Sequence, residues 1–286
     1  MQTRRQFFGA TSAFALTALL AGCGGTTGAS TDAKTTAASD SASSDGATGA
    51  ASTGTLIVGF DAGYPPYGYV GDDGSYTGFD LDLAQAVCDK NGWEVQLEPI
   101  DWDAKDALLG SGQINCIWNG FTMEGREDDY TFSEPYMLNE QVVVVKADSD
   151  IKSMEDLAGK TVLTQVDSAA LDVLQGDQAD LAGTFKELQT IGDYNNAFMQ
   201  LESGMVDAVA CDLSIADYQM AAKPDEFRTL GALSSEHYAV GFAKGDTATA
   251  DAVNAALKEL DRDGTVKELC EKYADQGMSY DNWVLE

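Results

Sequence analysis

Apolar and polar positions along the chain fall into two alternating rhythms. Leu56-Ile57-Val58-Gly59-Phe60 is a short unbroken apolar run, the pattern of a strand covered on both faces. Asp80 is placed to cap a helix; Leu81, Ala84, Val87 and Cys88 then recur at helical spacing, and Gly92 marks the stop. Trp93, Val95 and Leu97 alternate as a strand. A short helix over 104–109 leads through Gly110-Ser111-Gly112 to a strand over 114–118. This succession predicts an α/β fold with parallel strands. The chain also echoes itself. Ser111-Gly112-Gln113-Ile114-Asn115-Cys116-Ile117-Trp118-Asn119-Gly120 has the pattern of Ser203-Gly204-Met205-Val206-Asp207-Ala208-Val209-Ala210-Cys211-Asp212. Each is a helix end, a glycine stop and a strand with Asn or Asp at its start. Two similar lobes are expected, with Asn119-Gly120 and Cys211-Asp212 at equivalent strand ends. In open parallel sheets ligands bind at such ends, and two of them face to face would make a cleft.

The N-terminal pattern is different. Arg4 and Arg5 precede a short apolar core, Ala13 to Leu20, and then Ala21-Gly22-Cys23-Gly24-Gly25. The core is far shorter than the roughly 20 residues that cross a bilayer, so 1–22 reads as a signal peptide. The cysteine at its end resembles the lipobox of bacterial lipoproteins, which implies lipidation of Cys23. Thr3-Arg4-Arg5-Gln6-Phe7-Phe8 also resembles a twin-arginine export signal. Residues 24–53 are Gly, Ala, Ser and Thr with a few charges. They offer no large apolar side chain to bury, so 23–53 is expected to be a flexible tether, roughly 30 Å end to end.

Charge narrows the partners. The whole chain carries −30, and the first 22 residues hold two of its 17 Lys and Arg and none of its 47 acids. The mature chain from Cys23 onward is therefore more acidic still, which opposes nucleic acid and anionic lipid. The acids are spread rather than blocked, and no calcium loop of the D-x-D-x-D-G kind occurs. Cys88, Cys116, Cys211 and Cys270 show no C-x-x-C spacing; three of the four sit in apolar patterns and read as buried thiols, while disulfide pairs stay open. His237 is the single histidine, read as a surface or strand-edge residue, and no nucleophile elbow, phosphate loop or dinucleotide fingerprint is present. No cofactor and no metal are expected. Arg126 follows the Asn119-Gly120 strand end, and its fork suits a carboxylate; a surface pair with Glu127 or Asp128 is the other reading. Asp212 lies at the equivalent edge of the second lobe. Arg126 on one wall and Asp212 on the other would complement a zwitterion.

Longer stretches resemble the polar amino-acid-binding proteins of ABC importers, the family 3 type of extracellular solute-binding protein. They are Gly59-Phe60-Asp61-Ala62-Gly63-Tyr64-Pro65-Pro66-Tyr67, Gly78-Phe79-Asp80-Leu81-Asp82-Leu83-Ala84, Asp101-Trp102-Asp103, Trp118-Asn119-Gly120-Phe121-Thr122, and Arg126 leading to Phe132-Ser133-Glu134-Pro135-Tyr136. Asn196 to Leu201, Asp207-Ala208-Val209 to Asp212, Val240 to Asp246 and Leu260 to Thr265 continue the match toward the C-terminus. The resemblance implies a two-lobe periplasmic-binding-protein-like fold of type II, closing on one amino acid. It places lobe 1 at 54–139 plus 240–286 and lobe 2 at 140–239, with crossing strands near 139–143 and 236–240. It implies that the ligand carboxylate meets Arg126, backbone near Thr122 and the loop at Ser168. The ammonium would meet Asp212, the Gly120 carbonyl and the Thr122 hydroxyl. Tyr64 and Trp102 would flank the ligand side chain, and Asp61, Asn119 and Gln165 would read its tip. Asp167 stands where the family commonly has glycine, and Ala169 where it has a hydroxyl, so Asp167 is read instead as a helix cap.

The expected function is a monomeric, lipid-anchored extracytoplasmic receptor that hands an L-amino acid to an ABC permease, without catalysis. A dehydratase-like enzyme on the same scaffold is the contrasting class. A sensor domain is disfavoured because no membrane helix follows Glu286. Asp61 adds a negative charge beside a balanced Arg126 and Asp212, which favours polar or basic ligands: glutamine, arginine, lysine and histidine are not separated, cystine is retained, and acidic amino acids rank last.

Overall fold

The computed structural model describes residues 49–286; the expected signal peptide, Cys23 and most of the expected tether lie outside the described residues. The first sheet begins with β1 (Thr55–Phe60), whose Leu56, Val58 and Phe60 are fully buried. A small antiparallel ribbon comes next: β2 (Gly63–Tyr64), β3 (Gly68–Val70) and β4 (Tyr76–Thr77). The helix Phe79–Asn91 ends on Gly92 in the left-handed region (φ 67°), a stop that glycine makes without a Cβ clash. Then come β5 (Glu94–Pro99), a 3-10 turn Trp102–Ala104 running into the helix Lys105–Ser111, β6 (Cys116–Ile117) and β7 (Tyr130–Phe132).

The chain next enters a second sheet: β8 (Met137–Lys146), β9 (Thr161–Gln165), β10 (Glu187–Ile191), β11 (Ala208–Asp212) and β12 (Phe227–Tyr238). It returns as β13 (Gly241–Ala243) to the first sheet. The orders are β5-β1-β6-β13-β7 and β10-β9-β11-β8-β12. In each sheet three neighbouring strands run parallel, and the chain-reversing strands pair antiparallel. β8 lies inside its sheet, between β11 and β12. Its Val142 to Val145 are all buried, as an unbroken valine run between two covered faces should be. β8 and β12 pair side by side where the chain passes between sheets, with Tyr238 opposite Met137 and Glu236 opposite Asn139. Helices Thr247–Arg262 and Thr265–Lys272 pack back on Phe79–Asn91, and the C-terminal Val284 N–H bonds to Tyr136 O at 3.0 Å. Among the described residues no helix is long and apolar enough to cross a membrane.

The internal echo has a physical basis. Gly112 and Gly204 both close a helix in the left-handed region. Asn115 then ties β6 to β1, accepting from Ile57 N at 2.7 Å and donating to Thr55 O at 2.9 Å. Asp207 ties the start of β11 to β9 in the same way, accepting from Thr161 N at 2.8 Å. Both side chains satisfy backbone at the start of a parallel pair.

Three expectations change. The tether does not extend to residue 53: Ala50–Thr53 form a helical turn with Ala50 fully buried, and Ala51 N donates to Thr249 Oγ1. Small residues can pack closely on a helix, which composition alone does not reveal. Asp80 is not the helix cap; Gly78 takes that place at φ 142°, where a Cβ would come within 2.2 Å of Tyr67 O. Asp80 is instead fully buried, accepting from Gly120 N at 2.6 Å and from Tyr136 OH at 2.8 Å. Asp167 does not cap the helix Ala169–Gln175 either; Ser168 does, accepting from Leu171 N. Cys88, Cys116, Cys211 and Cys270 are buried free thiols, and burial pushes Cys88 and Cys270 up to about 12.

Burial also raises the Asp80 carboxyl from 3.8 to about 7. A folded-state pKa above the unfolded one favours folding most below the unfolded value, and the advantage is lost as pH rises through the folded value. Asp80→Asn cannot ionise. Its stability relative to the parent, measured by urea unfolding, should therefore improve from pH 4 to about pH 7 and then level off; an unchanged difference would place the proton elsewhere.

Candidate functional site

The carboxyl ends of β6 and β11 face each other across the junction between sheets. After β6 the chain turns through Asn119 to Gly120 at φ 58°. A Cβ there would sit 3.1 Å from both the Tyr64 and Tyr238 rings, so the left-handed backbone favours glycine and any side chain would press on both rings. β11 ends on Asp212, which precedes the helix Leu213–Ala222. Ser168 opens the helix Ala169–Gln175, and its hydroxyl donates to Gln165 O at 2.8 Å.

These elements bring nine of the ten expected ligand-site residues around one cavity: Tyr64, Trp102, Asn119, Gly120, Thr122, Arg126, Gln165, Ser168 and Asp212, with Ala169 beside them. Asp61 stands just behind, 8% exposed, its Oδ2 accepting from Gln165 Nε2 at 2.7 Å and its Oδ1 from Gly63 N at 2.7 Å. Burial holds its carboxyl above the usual range. Asn119 is 1% exposed, and both polar atoms of its amide group lack a hydrogen-bond partner.

The cleft is shut. Arg126 Nη2 meets Asp172 Oδ2 at 2.8 Å, Trp102 Nε1 donates to Asp167 O at 3.1 Å, and Asn195 Nδ2 donates to Gly63 O at 3.2 Å, all joining segments of one sheet to segments of the other. The centre of a water-sized sphere can occupy only about 20 Å³ of the space inside. That is little more than the roughly 10–15 Å³ one water needs, so the walls must part to admit any larger solute.

Arg126 lies over the Phe121 ring, its guanidinium carbon 5.1 Å from the centroid, and Nη1 donates to Thr122 O at 3.2 Å. Its ion pair is across the cleft with Asp172, in place of the surface pair with Glu127 or Asp128 that sequence left open. Asp212 is 4% exposed; its Oδ1 accepts from Asn139 Nδ2 at 3.0 Å, Gln141 Nε2 at 2.6 Å and Tyr238 OH at 2.9 Å. Burial raises its carboxyl, and burial also drives the Tyr64 and Tyr238 hydroxyls far up, so both stay neutral donors. Arg126 and Asp212 thus present opposite charges to one enclosed space, a fit for a small zwitterion.

Sequence reasoning missed four neighbours. Asn139, Gln141 and Glu236 are buried on β8 and β12, where they alternate inward with Met137 and Tyr238; that period of two was readable. Lys105 is 4% exposed, its ammonium 5.3 Å from the Trp102 ring centre and 3.8 Å from Asp167 Oδ2, and burial lowers its pKa. It does not line the cavity. The Trp102–Lys105 spacing of three on a helical turn was its only signal. His237 turns to the loop after β6, its Nδ1 2.6 Å from Glu124 Oε1. Among the described residues no cluster of His, Cys, Asp and Glu is arranged to hold a metal.

Comparison with known proteins agrees with this geometry. The model of the bacterial extracellular solute-binding proteins, family 3, matches residues 56–276. The L-cystine-binding protein TcyJ of Escherichia coli K12 is 32% identical over 224 residues, which is 77% of this chain and 82% of that protein. The glutamate-binding protein GluB of Corynebacterium efficiens is 27% identical over 253 residues, 82% of each chain. The crystal structure of an ABC uptake transporter substrate-binding protein from Streptococcus pneumoniae with bound histidine superposes with a TM-score of 0.76 at 34% identity, covering 80% of this chain and 96% of that one. Each of these relatives is named as a binding protein, for cystine, for glutamate, or for an ABC transporter substrate with histidine bound. The chain is a member of the family 3 bacterial extracellular solute-binding proteins.

Proposed function

We propose that this chain is a lipid-anchored extracytoplasmic receptor, tethered through Cys23, that encloses one L-amino acid between its lobes and delivers it to an ABC permease. The observation that carries the reading is the placement of Arg126 and Asp212 on opposite walls of one closed cavity. The lobes are 54–139 with 240–286, and 140–239. The ligand carboxylate goes to Arg126 and the helix start at Ser168. Its ammonium goes to Asp212 and Thr122, and its side chain lies between Tyr64 and Trp102. The receptor works as a monomer.

Asn119 favours a polar ligand tip. Leaving a buried polar atom unpaired costs roughly 1–3 kcal/mol, so a ligand that supplies both an acceptor and a donor relieves both ends of the amide. An amide or the distal half of cystine does this; an ammonium or guanidinium satisfies only the Oδ1 end. Asp61 favours cationic or amide tips over carboxylates. Lys105 is turned to Asp167 and does not offset that preference. A thermal-shift screen of the twenty L-amino acids with ornithine and cystine tests the reading. Polar, basic or cystine ligands should give the largest shifts; glutamate or aspartate above all others would move Asp61 out of the recognition role.

The second reading, an enzyme on this scaffold, draws on Glu236, a buried carboxyl beside the cavity raised to about 7. Its Oε1 already accepts three hydrogen bonds, which fits a fixed structural acceptor better than a base in motion. Chromatography of each bound amino acid after prolonged incubation should return it unchanged; a product would support the enzyme.

A further inference from the structure

Thr122 lines the cavity, and its hydroxyl has a single proton to give. That proton goes to Glu236: Oγ1 donates to Oε1 at 2.7 Å. Glu236 is 3% exposed on β12 and is held there by two amides from the neighbouring strand, Asn139 Nδ2 at 2.8 Å and Gln141 Nε2 at 2.8 Å. The same two amide groups also donate to Asp212 Oδ1. Two carboxylates from β11 and β12 are thus fixed by shared donors from β8, at the place where the chain crosses between lobes. With its proton committed to Glu236, the Thr122 oxygen offers the cavity only lone pairs. Asp212 likewise has Oδ1 held by three donors, and the Tyr64 hydroxyl also meets its carboxylate.

We propose that Glu236 is a positioning residue for recognition of the ligand ammonium: it fixes the Thr122 hydroxyl as an acceptor and adds a second negative charge behind Asp212. This rests on the reading that an amino acid binds with its ammonium at Asp212. A neutral group at that place forgoes the attraction of the two carboxylates, and a hydroxyl has one proton to give where an ammonium has three, so the pair selects for a free α-ammonium.

A consequence is linkage to protons. Burial and the adjacent Asp212 raise Glu236 to about 7, and the two carboxyls titrate as a pair. Glu236 also lines a groove of about 410 Å³ open to solvent, through which the proton can exchange. The other charged groups around this groove are Glu124 from the loop after β6, Asp172 on the helix Ala169–Gln175, which pairs with Arg126, and Asp177 beyond it. His237 on the same strand turns to Glu124. A bound ammonium favours the ionised pair, so binding releases a proton near neutrality and affinity falls as pH drops through about 7.

The test is isothermal titration with whichever amino acid of the twenty-two-member panel stabilises the parent most, at pH 6, 7 and 8, in two buffers of different ionisation enthalpy. The parent should lose roughly tenfold in affinity from pH 8 to pH 6 and release protons at pH 7. Glu236→Gln should bind several-fold more weakly at pH 8, with a flat pH profile and no proton release. Thr122→Val, which keeps the carboxylate pair, should lose affinity yet keep the pH dependence. Combining it with Glu236→Gln should cost less at pH 8 than the two single losses added together. A parent that binds with the same pH profile and proton count as Glu236→Gln overturns the proposal while leaving the receptor reading intact. Absence of binding by the parent across the panel overturns the receptor reading itself.

Discussion

Asp212→Ala is expected to weaken amino-acid binding by about 2–5 kcal/mol, roughly thirty-fold to a few thousand-fold in Kd. Asp212 is buried and already oriented by Asn139, Gln141 and Tyr238, so no rearrangement is needed for it to receive an ammonium. Alanine leaves the ligand's charge unpaired in a space with little room for compensating water. It also leaves two amide groups and a phenol directed at that space. Asp212→Asn keeps the shape and loses the charge, so it separates the two contributions and should fall between the parent and alanine. Calorimetry reads the affinities, and a thermal melt without ligand establishes that each variant is folded. Alanine within a few-fold of the parent would mean that the ammonium lies elsewhere.

Arg126→Ala should cost a comparable amount, and Arg126→Lys should recover only part of it. The guanidinium is seated on the Phe121 ring and donates to Thr122 O, which presents its fork to a carboxylate; a lysine ammonium is a point charge without that shape. Arg126 also pairs with Asp172, and losing that contact by itself would weaken the closed state. Asp172→Ala separates the roles. Its carboxylate is 62% exposed, so the pair is worth no more than about 1 kcal/mol. If Arg126→Ala and Asp172→Ala lose the same modest amount, Arg126 is a latch between lobes and not the carboxylate site.

Much of this arrangement was legible because it depends on local pattern. The run Leu56 to Phe60 is a buried strand, Gly92 and Gly112 end helices, and the echo of Asn115 and Asp207 marks two β-strands with the same anchoring bond. Asp212 and Arg126 could be placed at or just beyond such strand ends, but spacing alone favours a surface pair for Arg126, and its carboxylate role comes from the family resemblance. What was not legible depends on partners far along the chain. Asp80 reads as a cap until Gly120, 40 residues on, donates to it. Glu236 reads as one acid among 47 until Thr122, 114 residues earlier, gives up its proton to it. A buried charge violates the ordinary pattern, and only the tertiary fold supplies the donors that permit it. Residues 50–53 are folded for the opposite reason: alanine needs little space, so a polar-looking tail can still pack.

A crystal structure of the protein with the amino acid that stabilises it most tests the central claim directly. The α-carboxylate is predicted to lie within hydrogen-bonding distance of the Arg126 guanidinium, the α-ammonium against Asp212 and Thr122, and the side-chain tip facing Asn119. A ligand bound outside the cleft, or one whose α-groups touch neither Arg126 nor Asp212, would contradict that placement.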